Sequence, residues 1–208
     1  MLRPSSSTRP SLWLLKRSEG DLVVKDYRSN GFLFRNLAGR FLVWRELKAL
    51  RRLRGVQGVP DVYGAPYGLA VVMEAIAGRP VEGLEHGQPL PLSFFDGLRR
   101  LIDAFHVRGV AHCDLKRAPN ILLGDDGNPY VVDWSASILA SEFRGFPLRL
   151  IYRRFLLDDL DAVVKLQLRH RPEEIDPLDL ARYQEKGRLE KAVRSLRDRA
   201  RELLQRLA

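Results

Sequence analysis

The stretch AHCDLKRAPNILL, residues 111 to 123, places His112, Asp114, Lys116 and Asn120 within nine positions. An aspartate can orient a hydroxyl and take its proton, and a lysine can neutralise charge on a transferred group. An asparagine oxygen suits a hard cation. Asp133 ends the apolar run YVVD, 13 residues after Asn120. Lys25 lies in LVVKDY, and Glu46 is the only glutamate between Lys25 and Glu74. A strand lysine paired with a helix glutamate holds its ammonium towards phosphates. Phosphoryl transfer needs such a cation, a metal held by oxygen ligands, and a group that positions the attacking hydroxyl. Singly, each residue has an ordinary explanation: strand-edge lysine, solvated helix glutamate, turn aspartate or asparagine. Their order along the chain makes them a set.

The elements that must position these groups follow from pattern. Residues 12–27 read as two strands around a turn at Ser18 to Asp21. Residues 32–54 carry helix formers, with Phe41, Trp44, Leu47, Leu50 and Leu53 spaced by threes as an apolar stripe. VPDVYG and GLAVVMEAI predict two strands joined by APYG. A loop rich in Gly and Pro (78–92) leads to SFFDGLRRLIDAFHVRG, with Ser93 as its N-cap and Gly109 as its C-terminal glycine. GDDGNP separates two short β runs, Ile121–Leu123 and Tyr130–Val132, as a hairpin. From about residue 155 the chain reads as helical. The pattern is α+β, with a flexible segment 1–11, a sheet-plus-helix part 12–77 and a mainly helical part 78–208.

The chain has 208 residues, 45% of them apolar, and a formal net charge of +9. That excess favours phosphate-bearing partners without selecting one. The single cysteine, Cys113, excludes an intramolecular disulfide framework and a cysteine zinc cluster. Leu12 to Leu15 is too short for a signal peptide, and no run approaches a membrane span of roughly 20 apolar residues. A cytoplasmic location is the expectation.

Five motifs in this order resemble the protein-kinase superfamily over most of residues 12–165. VVK resembles the third-strand lysine motif, WRELKAL helix C, VVMEAIAG the hinge, HCDLKRAPN the catalytic loop, and VVDWS the metal-binding loop. The resemblance implies a two-lobed fold with an abbreviated N-lobe sheet and a reduced helical C-lobe. It implies ATP as donor and Mg²⁺ held by Asn120 and Asp133. It makes Asp114 the catalytic aspartate and Lys116 the neutraliser of the moving phosphoryl group. Lys25 and Glu46 would serve the nucleotide phosphates. Met73 would stand at the gatekeeper position, with the backbone of Glu74 to Ile76 facing adenine, and His112 would brace the loop. The chain departs from the pattern by lacking G-x-G-x-x-G before Lys25, where only SSST (5–8) stands as a candidate lid. It also has five residues between Asp114 and Asn120, Ser135 at the third position of the metal loop, and no later APE. These departures are closest to the compact atypical kinases, the RIO-like and lipopolysaccharide-core sugar kinases.

The expected activity is ATP- and Mg²⁺-dependent phosphoryl transfer to a hydroxyl, with Ser or Thr of a protein first. A sugar or lipid head group is the second acceptor, and a nucleotide-binding pseudokinase scaffold the third reading. No specific nucleic-acid partner is expected. His106 is read as a packing residue and Cys113 as inert. Asp158, Asp159 and Asp161 are read as helix-start acids, or with one of them bonding the catalytic loop from below. Leu189, Val193, Leu196, Ala200, Leu203 and Leu207 form a basic amphipathic stripe, suited first to packing and second to peripheral contact with an anionic membrane.

Overall fold

The computed structural model describes residues 1–84 and 87–185. SLWLL alternates more and less buried positions while LVVKD is at least half-buried throughout, and they pair as an antiparallel hairpin, β1 (Ser11–Leu15) on β2 (Leu22–Asp26). Strands β3 (Val62–Gly64) and β4 (Ala70–Glu74) complete a four-stranded sheet of order β1-β2-β4-β3. Register sets Lys25 opposite Leu12 on one side and Val71 on the other, in the middle of the sheet. The N-terminal residues fold back on this sheet. Arg3 bridges Leu12, and the Asn30 side-chain amide donates to the carbonyls of Ser6 and Arg9 at 2.6 and 3.0 Å. Those bonds lie in the segment that composition marks for weak order.

The predicted helix over 32–54 is real but interrupted. A short turn α1 (Phe32–Phe34) and a π-helical stretch (Arg35–Gly39) precede α2 (Arg40–Arg52). The stripe of threes needs correction: Phe41 and Trp44 are about half exposed, and the buried residues are Val43, Glu46, Ala49, Leu50 and Leu53. At about 100° per residue, each step of three rotates the face by about 60°. Phe41 and Leu50 therefore lie on opposite sides. Lys48 stands over the exposed Trp44 ring, 4.9 Å from its centroid.

The rest of the first compact unit, which ends at Val163, is built around α3 (Leu92–Val107). Its buried Phe94, Phe95, Leu98, Leu101, Ile102 and Phe105 recur at helical spacing. The expected Ser93 cap is replaced: Pro91 occupies the N-cap, and no side chain caps the helix. Proline's fixed φ suits a helix entrance, so the start moves two residues earlier. Gly109 does end the segment, at φ 75° with its N–H on the His106 carbonyl. The GDDGNP hairpin forms between β7 (Ile121–Gly124) and β8 (Pro129–Val131), and the Gly/Pro-rich loop contributes β5 (Gly78–Pro80) as a third strand. Gly78 is required there, since a Cβ would stand 2.5 Å from the Leu123 carbonyl oxygen. A two-stranded ladder joins β6 (Val110–Ala111) to β9 (Ile138–Leu139). Three-residue and two-residue strands give almost no periodicity, which is why the pattern misses them.

Helix α4 runs from Leu148 to His170, starting well before residue 155. The three acids therefore lie inside the helix and not at its start. In the second unit, which begins at Val164, a 3₁₀ turn (Pro172–Glu174) is tied back by Gln167 Nε2 on the Glu174 carbonyl at 2.8 Å, and residues 177–185 are helical. The amphipathic stripe Leu189–Leu207 lies outside the described residues. No described helix is long and apolar enough to cross a membrane. The architecture is α+β and kinase-like, with an abbreviated sheet lobe and a reduced helical lobe.

Candidate active site

Strand β2 and helix α2 bring the two ends of one ion pair together. Lys25 Nζ lies 2.5 Å from Glu46 Oε1 and 2.8 Å from Asp133 Oδ1, so one ammonium joins three distant segments. Glu46 is fully buried, and its Oε2 has no hydrogen-bond partner among the described residues. Burial opposes the charge on Lys25, but Glu46 and Asp133 outweigh it and lift the ammonium above its usual pKa. Burial likewise opposes ionisation of Asp133, yet Lys25 and the Ser135 hydroxyl at 2.8 Å hold its carboxyl below the usual range. Burial lifts the Glu46 carboxyl against the pull of Lys25. The lysine is thus a fixed cation, with Asp133 as its fixed anion.

The loop after β6 is shaped by two unusual residues and one buried acid. Cys113 and Asp133 both adopt left-handed backbone, at φ 68° and 65°. Non-glycine residues hold that conformation only where the surroundings impose it. Around Cys113 the constraint is Asp159 of α4, whose carboxylate accepts the His112 and Cys113 N–H groups at 2.8 and 2.9 Å. The same carboxylate meets His106 Nε2 at 3.1 Å. The reading that one α4 acid bonds this loop is the observed arrangement, and His106 adds that polar bond to its packing against Phe105. His112 is fully buried, with Nε2 3.0 Å from the Val132 carbonyl and Nδ1 accepting the Asp114 N–H at 3.3 Å. Burial pushes its pKa below the usual value, so the ring is neutral, with its proton on Nε2. Trp134 packs on His112 and Phe105 at 4.7 and 5.1 Å and donates to Val131, filling the second position of the metal-loop motif.

The extra residue between Asp114 and Asn120 is absorbed by a 3₁₀ turn, Ala118–Asn120, after Arg117 N–H bonds the Asp114 carbonyl. Asn120 Nδ2 still reaches Asp114, at 3.0 Å to its carbonyl and 3.3 Å to Oδ2. The Asn120 carbonyl accepts the Val132 N–H at 2.9 Å, which ties the loop to the strand leading to Asp133. No hydrogen bond among the described residues uses Asn120 Oδ1 or Asp133 Oδ2. One carboxylate and one amide oxygen on adjoining segments fit Mg²⁺, which takes few protein ligands and completes its shell with substrate oxygens and water. No group of three His, Cys, Asp or Glu able to hold a metal occurs among the described residues.

Lys116 is half exposed and lies 3.8 Å from Asp158, whereas Arg117 approaches Asp114, at 3.3 Å. Arg117 was not singled out by sequence, because an i,i+3 pair in an irregular loop has no pattern to read. Met73 is buried between Val23 and Val62 of the neighbouring strands. Glu74 N–H bonds Asp61 and Ala75 N–H bonds Asp21, while the Ile76 N–H takes part in no backbone bond among the described residues. A further strap missed by sequence joins α2 to the segment after Asp133. Glu142 accepts Lys48 Nζ at 2.7 Å and the Leu139 N–H at 3.1 Å, and Arg45 bonds the Ser137 carbonyl. Burial of Cys113 pushes its thiol up to about 12, so it stays protonated and inert.

Residues 23–170 match the RIO domain family. The 3-deoxy-D-manno-octulosonic acid kinase of Xylella fastidiosa strain 9a5c is 26% identical over 172 residues, covering 73% of this chain and 68% of that protein. The protein of the same description from strain M23 is 27% identical over 173 residues, with the same coverage.

Proposed function

This chain belongs to the RIO domain family, and from that premise we propose that it transfers the γ-phosphoryl group of ATP to a hydroxyl of an acidic saccharide. At family level the activity is kinase-type phosphoryl transfer with ATP as donor. The observation that carries the chemistry is Lys25 bonded at once to Glu46 and Asp133. In this reading Lys25, fixed by Glu46, meets the nucleotide phosphates, and Met73, Glu74 and Ile76 border the adenine. Asp114, oriented by Asn120, accepts the proton of the attacking hydroxyl. The terminal P–O bond of ATP breaks as the bond to that oxygen forms, ADP leaves, and the proton passes from Asp114 to solvent. Mg²⁺ held by Asp133 and Asn120 would supply charge neutralisation at the phosphate oxygens. Lys116 and Arg117 add positive charge beside Asp114.

The saccharide is preferred because the relatives are described as kinases of a sugar acid. Only 14 residues, Trp134 to Pro147, separate Asp133 from α4, which leaves little chain for a peptide-docking segment. Transfer to protein Ser or Thr remains the second reading, supported by Lys116 two positions after Asp114. The discriminating experiment offers labelled ATP with lipid-linked saccharide extract and, separately, with generic protein acceptors. Label in the saccharide fraction is expected. Label in protein alone favours the second reading, and calorimetry without any ATP binding at millimolar nucleotide favours a scaffold.

A further inference from the structure

Apart from the Lys25–Asp133 network, one hollow of about 460 Å³ gathers like charges. It lies between the segment after β9 and the start of α4, and Arg144, Arg149 and Arg153 line it together with Phe143, Tyr152 and Leu156. The three arginines are exposed. None of their guanidinium groups pairs with a carboxylate among the described residues. Permanent cations around one cavity repel each other until an anion sits among them, and guanidinium geometry suits a carboxylate or phosphate.

Tyr152 lies in the wall of the same hollow. Tyr152 is 8% exposed, and its hydroxyl has no hydrogen-bond partner among the described residues. The hydroxyl itself is enclosed, with Asp159 and Cys113 near it, so it is a polar group inside the wall and not a contact on its surface. Phe143 packs 6.0 Å from the Tyr152 ring and, with Leu156, gives the hollow an apolar wall suited to the C–H face of a sugar. The volume is of monosaccharide size or larger. Along α4, Tyr152 precedes Asp159 by seven residues, about 10 Å of helix axis. Asp159 is the group that anchors His112 and Cys113. The hollow is therefore within the span of a short saccharide from Asp114.

We propose that this hollow is the anion site for the phosphoryl acceptor. Arg144, Arg149 and Arg153 bind an oxyanion of the saccharide, a sugar carboxylate or a phosphate ester, and so direct its hydroxyl towards Asp114. The inference rests on the saccharide reading above.

The test uses the full chain, labelled ATP, and a lipid-linked saccharide ending in 3-deoxy-D-manno-octulosonic acid. Two altered acceptors accompany it, one with the carboxylate converted to an amide and one with its phosphate esters removed. The double variant R149Q/R153Q should raise the acceptor KM about tenfold or more, a loss typical of charge-assisted bonds. Its kcat at saturating acceptor and its calorimetric Kd for ATP should stay within about twofold of wild type. R144Q should raise the acceptor KM in the same direction, and it decides the matter if the double variant fails to bind ATP. The altered acceptor that lacks the recognised anion should be poor with wild type and no worse with R149Q/R153Q, which separates carboxylate from phosphate. Label transfer with the same acceptor KM in wild type, R149Q/R153Q and R144Q overturns the inference and leaves the saccharide reading standing. So does full activity on both altered acceptors. No label in any saccharide with wild type overturns both.

Discussion

His112 stabilises the loop after β6 through its neutral form, since Nε2 donates to Val132 and Nδ1 accepts from Asp114. Burial lowers its pKa below the ordinary 6.5, so the unfolded chain takes the proton first. The stabilising contribution is complete above about pH 6.5 and is lost as pH falls through the lowered folded value. Thermal unfolding from about pH 7.5 to about pH 5 should show a declining midpoint, and H112Q should flatten that decline. An unchanged slope in H112Q would mean that another group carries it. Asp114, Asn120 and Asp133 stood out in sequence as candidates because their residue types and order fit one chemistry. Asp159 was legible only as one of three neighbouring acids, since its burial beneath Cys113 depends on tertiary packing. Arg117 and Glu142 carried no signal, and Ser135 stood out only as a departure from the metal-loop motif, because each acts through a contact set by loop geometry.

At the scale of elements, α4 holds the loop through one carboxylate. D159A should strand two buried N–H groups and His106, lowering stability by about 2–5 kcal/mol. D158A, whose partners Lys116 and Arg154 are about half exposed, should lose less than about 1 kcal/mol. Urea midpoints at unchanged slope measure both, and equal losses would refute the assignment of the anchor to Asp159. The longer elements were readable: the β1–β2 hairpin, α3 and the β7–β8 hairpin follow from periodicity and turn residues. The stripe on α2 misled because regular spacing of three drifts around a helix, leaving Phe41 and Trp44 facing solvent. Strands β5, β6 and β9 were unreadable because two or three residues are too few to show alternation, and long-range pairing alone defines them.

For the molecule as a whole, the kinase-like fold joins Lys25, Glu46 and Asp133 in one ion-pair network. Its N-terminal turn, tied down by Asn30, stands in the part of the chain where a glycine-rich loop would be. The positive excess that composition reports without location is in part concentrated around the hollow of Arg144, Arg149 and Arg153. The proposed kinase activity requires that Asp114 drive transfer once ATP is bound. Single-turnover transfer from labelled ATP to the lipid-linked saccharide, with wild type and D114N matched for ATP affinity by calorimetry, tests this most directly. A rate loss of about 10²–10⁴ in D114N with ATP affinity retained is expected if Asp114 accepts the hydroxyl proton. Equal rates in the two proteins would contradict it.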